Sequence, residues 1–298
     1  MIVIPVIAVG GFGLLIGSFL NVVIFRIPAG RSIVSPPSAC GSCAAAIRPW
    51  NNIPVLSWLW LRGRCHDCAA RISARYPLVE LGTAVFFAVV GWWVVTGVST
   101  GSTTGLGSHG GFGSAAGIIS VDGVVDTRMA GAATVALVAF LYLAAVSIAL
   151  TMIDLDTHTL PNRIVLPAYA VGAVLLTGAA LLAGEPERLL TAAIGAAALF
   201  GLYLLMALLY PGGMGLGDVK LAGVLGLFLG WLGWAPLAVG AFSAFLLGGL
   251  FSLVLIITRK ATRKSGIPFG PWMLGGAWVG IFGGEAIATG YLSLFGLA

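Results

Sequence analysis

Two aspartates, Asp154 and Asp218, stand beside apolar runs in a chain that has only ten acidic residues in 298. Asp154 follows the mostly apolar stretch 131–153, and Asp218 closes Gly215-Leu216-Gly217-Asp218 just before another. A carboxylate at the bilayer centre costs about 2.5–3.5 kcal/mol on insertion scales, so an ionisable residue at a span marks function by default. Two carboxylates within a few Å of each other do not both ionise freely: one holds a proton while the other has lost it. Such a pair can activate water and protonate a leaving amide without a metal or a covalent intermediate. The residues alone leave other readings open. Asp218 would also serve as the cap of a helix start. Asp154 and Asp156 would also be solvated at a helix end, and buried carboxylates carry ions or protons in transporters.

The second cluster is Cys40-Gly-Ser-Cys43 and Cys65-His-Asp-Cys68, two CxxC pairs with 21 residues between them. The spacing is that of a four-cysteine zinc site. Zinc takes four thiolates in a tetrahedron, and each CxxC supplies two at a tight turn. Four thiolates leave no open position, so a zinc held by Cys40, Cys43, Cys65 and Cys68 is structural. Segment 26–77 is about 50 residues, too small for a self-sufficient core, and a metal staple would hold it. Two disulfides or free thiols are the alternatives; a reducing compartment disfavours the disulfides.

The elements that position these groups are membrane helices. The chain is 59% hydrophobic and 8% charged, with a mean hydropathy of +1.06, which excludes an ordinary soluble globular protein. A span needs about 20 apolar residues. Eight are expected, over 3–25, 78–97, 130–153, 164–184, 189–210, 219–235, 237–258 and 268–293. The sixth is short and carries Gly223, Gly226, Gly230 and Gly233, a spacing for close helix packing. The first lacks a basic stretch before its apolar run and is followed by Arg26, so it is expected to remain as a span rather than be cleaved as a signal.

Placing 26–77 in the cytoplasm puts 13 of the 15 basic residues on that side, which the positive-inside rule favours. This bias accounts for the net charge of +5 with no need of nucleic acid, and a basic inner face can also meet anionic membrane lipid. Both aspartates then lie on the cytoplasmic side. The expected organisation is a first span over 1–25, a cytoplasmic four-cysteine domain over 26–77, a second span over 78–97, a flexible outside loop over 98–127, and a six-helix unit over 130–298 that holds both aspartates.

The chain resembles the type IV prepilin peptidases, the bifunctional leader peptidase and N-methyltransferase family. The resemblance runs through Gly17-Ser18-Phe19-Leu20-Asn21 to Arg26, both CxxC pairs, Asn52-Ile53-Pro54-Val55-Leu56-Ser57-Trp58, and Arg75-Tyr76-Pro77-Leu78-Val79-Glu80. It continues in Asp154 with Pro161-Asn162, in Gly-Leu-Gly-Asp218 with Val219-Lys220-Leu221, and in Ile267-Pro268-Phe269-Gly270-Pro271. Each is weak alone; six in order are specific.

The resemblance implies an all-α polytopic membrane protein with a small zinc-ribbon-like cytoplasmic insertion. It implies an intramembrane aspartic peptidase with Asp154 and Asp218 as the catalytic pair. Asp154 is preferred to Asp156 because it stands seven residues before Pro161. The substrates would be prepilins or pseudopilins, cut at the cytoplasmic face of the bacterial cell membrane behind a short basic leader. The new N-terminus would then be methylated with S-adenosylmethionine. The cysteine-rich segment is the candidate for that second activity, with Gly63, Arg64 and Glu80 as its candidate residues; each also has an ordinary structural reading. Gly10-Gly11-Phe12-Gly13 lies within a span rather than after a strand and is not read as a nucleotide fingerprint. A peptidase without methyl transfer and an ion or proton transporter are the competing functions.

Overall fold

The computed structural model describes residues 3–97, 127–210, 214–258 and 268–296. Nearly all of the loop expected over 98–127 lies outside them, as do the basic residues Arg259, Lys260, Arg263 and Lys264. Among the described residues the regular structure is helical: α1 (Val3–Arg26), a 3-10 turn (Pro49–Asn52), α2 (Leu56–Trp60), α3 (Arg75–Gly97), α4 (Thr127–Thr157), α5 (Asn162–Ala183), α6 (Glu187–Leu209), α7 (Leu216–Leu232), α8 (Trp234–Ile257) and α9 (Gly270–Ser293). The eight long helices coincide with the eight expected spans to within a few residues. Six of them, α1, α3, α4, α5, α6 and α8, are long and apolar enough to cross a membrane.

Two compact units are present. The first comprises Met1–Trp92 with Leu141–Ile153, and the second Trp93–Phe140 with Asp154–Ala298.

In the first unit, α1 packs on α3 through glycine. A Cβ on Gly13 would stand 2.8 Å from the Ala84 Cα, and one on Gly17 would stand 2.6 Å from the Glu80 Cα. Lipid gives no hydrophobic drive between helices, so close backbone approach through small residues is what joins them. Gly13 thus has a packing role in the stretch discounted above as a nucleotide fingerprint. At the membrane entry the Asn21 side-chain amide donates to the Tyr76 carbonyl at 3.1 Å, and the Arg75 guanidinium donates to the Met152 carbonyl at 3.4 Å. The ends of α1 and α3 and this part of α4 are thereby tied together.

The second unit is organised around α7. From Val219 to Leu232 this helix is almost wholly buried, with Leu221, Val224, Phe228 and Trp231 fully so. A helix apolar on every side belongs inside a bundle, and here α5, α6, α8 and α9 surround it. Its glycines make room: a Cβ on Gly195 of α6 would stand 2.9 Å from the Gly230 Cα. Phe140, Phe228 and Trp231 stack edge to face at the buried level, with Phe140 5.7 Å from Phe228 and 6.2 Å from Trp231. Buried polar groups are matched: the Trp231 indole N–H donates to the Leu176 carbonyl at 3.1 Å, and Arg188 pairs with Glu185 and lies over the Trp231 ring.

Candidate active site and cysteine cluster

Asp154 sits in the last turn of α4. That helix stops because His158 adopts a left-handed conformation, φ 51°, a helix-ending device for which glycine is the usual residue. The chain then turns through Leu160 and Pro161 into α5. Leu160 is the wedge of the site. A Cβ on Gly217 would meet the Leu160 Cβ at 3.0 Å, and a Cβ on Gly270 would meet the Leu160 Cδ2 at 3.3 Å. Glycine at both places leaves room for the starts of α7 and α9 to close on this one side chain.

Asp154 is 4% exposed. Its Oδ2 accepts a hydrogen bond from the Gly270 N–H at 3.1 Å, and a Cβ at position 270 would stand 2.7 Å from that same oxygen. The first turn of α9 thus fixes the carboxylate of α4 across 116 residues of sequence. Asp218 is held by its own helix start. Its Oδ2 accepts from the Gly215 N–H at 3.2 Å, while its N–H donates to the Gly215 carbonyl at 3.1 Å. It is therefore the third residue of α7 in a reciprocal capping arrangement, with Gly215 at the N-cap itself. The capping reading of Asp218 is thus realised in part, and it involves only one of the two carboxylate oxygens.

Asp154 and Asp218 lie within electrostatic reach of one another. Each has Oδ2 anchored by a backbone N–H, and among the described residues Oδ1 of neither carries a hydrogen bond. Asp156 is exposed. The first turns of α5 and α7 are clasped beside the pair. The Tyr169 hydroxyl donates to the Lys220 carbonyl at 2.6 Å, and the Lys220 ammonium donates to the Asn162 side-chain oxygen at 3.0 Å. Tyr203 of α6, buried against Phe245 and Phe269 at 5.4 and 6.3 Å, lies within electrostatic reach of Asp218. Sequence reasoning assigned no role to Gly270, Tyr169 or Tyr203. Gly270 stood in a motif, but nothing local says that its N–H faces a carboxylate.

The four cysteines form one cluster. Their sulfurs all lie within 4.8 Å of one another, and the Cys40 and Cys68 sulfurs are 3.8 Å apart. A tetrahedron with Zn–S bonds of about 2.3 Å has edges of roughly 3.8 Å, so the set fits a zinc ion. Two copies of one turn build it. In the first, the Cys40 N–H donates to Ala45 and the Ala44 N–H to Cys40, both at 2.9 Å; in the second, the Cys65 N–H donates to Ala70 at 2.8 Å and the Ala69 N–H to Cys65 at 3.0 Å. Ala44 and Ala69 share a left-handed φ of 56°. Each turn closes on a single antiparallel bridge, Ala39 with Ala46 and Arg64 with Arg71. In sequence the two turns share only the cysteines, the two alanines that follow them and one isoleucine, Ile47 and Ile72.

Donor groups converge on the cluster. The backbone N–H groups of Cys43 and then Ser42 hold the Cys40 thiol down to about 6. The Ala70 N–H pulls the Cys68 thiol down, but the Cys43 sulfur, burial and the Cys65 and Cys40 sulfurs push it up to about 12. Thiols crowded in this way compete for negative charge, and a divalent cation at their centre removes the conflict.

The remaining candidates have definite places. The Glu80 carboxylate is buried and accepts from the Val55 N–H at 2.7 Å. Gly63, with φ 67°, lies under the Trp58 indole, where a Cβ would stand 2.9 Å from the ring. Arg64 is exposed.

Comparison with known proteins gives the family. Residues 12–94 match the model of the Bacterial Peptidase A24 N-terminal domain, and residues 125–257 match that of the Type IV leader peptidase family. A curated Prepilin leader peptidase/N-methyltransferase of Aeromonas salmonicida is 35% identical over 95% of this chain and 92% of its own length. The chain belongs to the type IV leader peptidase family. Other family members of the same name include those of Pseudomonas aeruginosa, 32% identical over 95% of this chain and 92% of its own, and Bacillus subtilis, 29% identical over 95% and 96%. No solved structure matches the chain. The N-terminal model spans the four cysteines, and the peptidase model spans Asp154 and Asp218.

Proposed function

We propose that the protein is a prepilin leader peptidase and N-methyltransferase in which Asp154 and Asp218 hydrolyse the leader bond. The observation that carries this reading is the convergence of two backbone-anchored aspartates from α4 and α7 at one place in a chain of this family. One carboxylate takes a proton from the water as its oxygen adds to the carbonyl polarised by the other, protonated carboxyl, and a proton then passes to the nitrogen of the tetrahedral adduct so that the C–N bond breaks and the amine leaves. Fixing one oxygen of each aspartate leaves the other oriented for water or for the carbonyl, and this preorganisation lowers the barrier.

In this proposal all eight long helices cross the cell membrane. The cysteine segment and both aspartates face the cytoplasm, supported by the concentration of arginine in 26–77. A prepilin brings an apolar helix within the bilayer and a basic leader outside it, and the dyad meets the bond where the two join. Cys40, Cys43, Cys65 and Cys68 hold a structural zinc ion. S-adenosylmethionine supplies the methyl group for the freed amine, and Gly63, Arg64 and Glu80 are candidate residues for that activity beside their structural contacts. The transporter alternative gains no support from a pair in which one oxygen of each carboxylate is pinned by a backbone N–H.

The direct test is incubation of the purified protein in detergent with a prepilin and S-adenosylmethionine carrying a labelled methyl group. The expected result is a shortened pilin with label at its new N-terminus. An intact prepilin overturns the peptidase assignment, and a shortened, unlabelled one overturns the methyltransferase assignment.

Gly270→Ala probes the positioning of Asp154. The added methyl meets Oδ2 while the 270 N–H remains, so the carboxylate must move. Displacements of about 1 Å cost catalysts up to about 10²-fold. The expected outcome is a fall in kcat/KM for leader cleavage of roughly 10–100-fold, with methylation of an already cleaved pilin unchanged.

A further inference from the structure

The short helix α2 turns the wrong residues outward for a segment in water. Leu56, Leu59 and Trp60 are 62%, 57% and 89% exposed. They fall at i, i+3 and i+4, one face of a helix. The other side carries the contacts: the Trp58 indole N–H donates to the Ile72 carbonyl at 3.2 Å, and Gly63 closes under that ring. Trp50 and Ile53, just before α2, are likewise exposed. An outward apolar face of this size on a small polar segment marks an interaction surface.

Its position identifies the occupant. The start of α2 is bound to the membrane helices of its own unit. The Val55 N–H donates to Glu80, which lies five residues into α3. Asn52 and Pro54 border a cavity of about 270 Å³ whose other wall is Leu15, Ser18, Phe19 and Val22 of α1. Phe19 is seven residues before Arg26 at the end of that helix, about 10 Å along its axis. The stretch thus stands beside α1 below the level of its terminal arginine. The charge around it agrees: residues 26–77 hold seven arginines and one acidic residue, Asp67, and Arg48, Arg62, Arg64 and Arg71 are exposed. Tryptophan and leucine directed outward with arginine close by is the pattern of an element lying in a headgroup layer.

We infer that Asn52–Trp60 is embedded in the bilayer leaflet at the Arg26 end of α1, with its Leu56–Leu59–Trp60 face among acyl chains and the flanking arginines on anionic phospholipid headgroups. The cysteine segment is then a monotopic anchor lying on the membrane, its knuckle tips in water. This inference is independent of either catalytic activity.

The full chain in nanodiscs of phosphatidylcholine and phosphatidylglycerol tests it. Photo-reactive p-benzoylphenylalanine replaces Trp60, whose side chain makes way without loss of packing, or Gly41 at a knuckle tip, where nothing lies within 4 Å of an added Cβ. Mass spectrometry reads the adducts. The expected result is lipid adducts at least about five-fold more abundant at position 60 than at 41, enriched in phosphatidylglycerol over its share of the bilayer. Equal yields at the two positions overturn the embedding. Adducts at 60 to a second polypeptide instead of lipid overturn the choice of occupant. Adducts that follow the bulk lipid ratio overturn the anionic assignment.

Discussion

Asp154→Asn and Asp218→Asn each lower leader cleavage by on the order of 10²–10⁴-fold, the contribution of a positioned acid or base, while Asp156→Asn stays within about three-fold of the unaltered protein because its side chain is exposed. The asparagines separate chemistry from architecture. An amide oxygen at 154 still accepts from the Gly270 N–H, and one at 218 still accepts from Gly215, so the ends of α4, α7 and α9 stay in place. Thermal unfolding in detergent is therefore expected to shift little. Methylation of a pilin supplied already cleaved is expected to persist, because both substitutions lie outside the N-terminal region matched by its own family model. The measurement is kcat/KM on a purified prepilin. Cleavage by either single variant at a near unaltered rate refutes the dyad, and loss of methylation together with cleavage shows that the substitution disrupts the chain as a whole.

The second large effect is expected at the cysteines. Cys43→Ser removes one of four thiolates from a cluster whose edges suit zinc. Apparent zinc-binding energies in small domains are about 10–16 kcal/mol, and that energy is also folding energy. The two knuckles have single bridges and little core to fall back on, so the segment is expected to lose both its metal and its order. Native mass spectrometry reads the first consequence: one zinc per unaltered chain, none in Cys43→Ser. Activity reads the second. Methyl transfer is expected to vanish, while cleavage falls by less than about ten-fold, because the aspartates are anchored by Gly215 and Gly270 in the other unit. Chelation at low pH should reproduce the variant, since protons compete for the same thiolates. An unaltered chain without metal sinks the zinc assignment. A metal-free variant with full methyl transfer separates the cluster from that activity.

What was legible beforehand follows from how local each signal is. The cysteine pairs could be read because a tetrahedral site dictates both residue type and short spacing. The long helices could be read because a bilayer sets their length and polarity, and all eight of them begin and end close to the expected limits. Asp154 and Asp218 could be marked because carboxylates are rare in such helices. The fastening of the aspartates could not be read. The Gly270 N–H serves Asp154 from 116 residues away, and Tyr169 reaches Lys220 from 51 residues away; no periodicity encodes either. The apolar run of α7 gave its existence but not its place. Only packing shows it surrounded by α5, α6, α8 and α9, which also explains why 17 residues suffice for it. The outward face of α2 was hidden for another reason, since five residues are too few for a helical pattern to stand out.

Leu160 has a consequence beyond packing. One side chain fills the gap between Gly217, next to Asp218, and Gly270, whose N–H holds Asp154. It therefore sits as a shim between the start of α7, which carries Asp218, and the start of α9, whose Gly270 N–H holds Asp154. On the proposed mechanism, a change of bulk at this uncharged position is expected to shift the starts of α7 and α9, and with them the two carboxylates, without altering either acid.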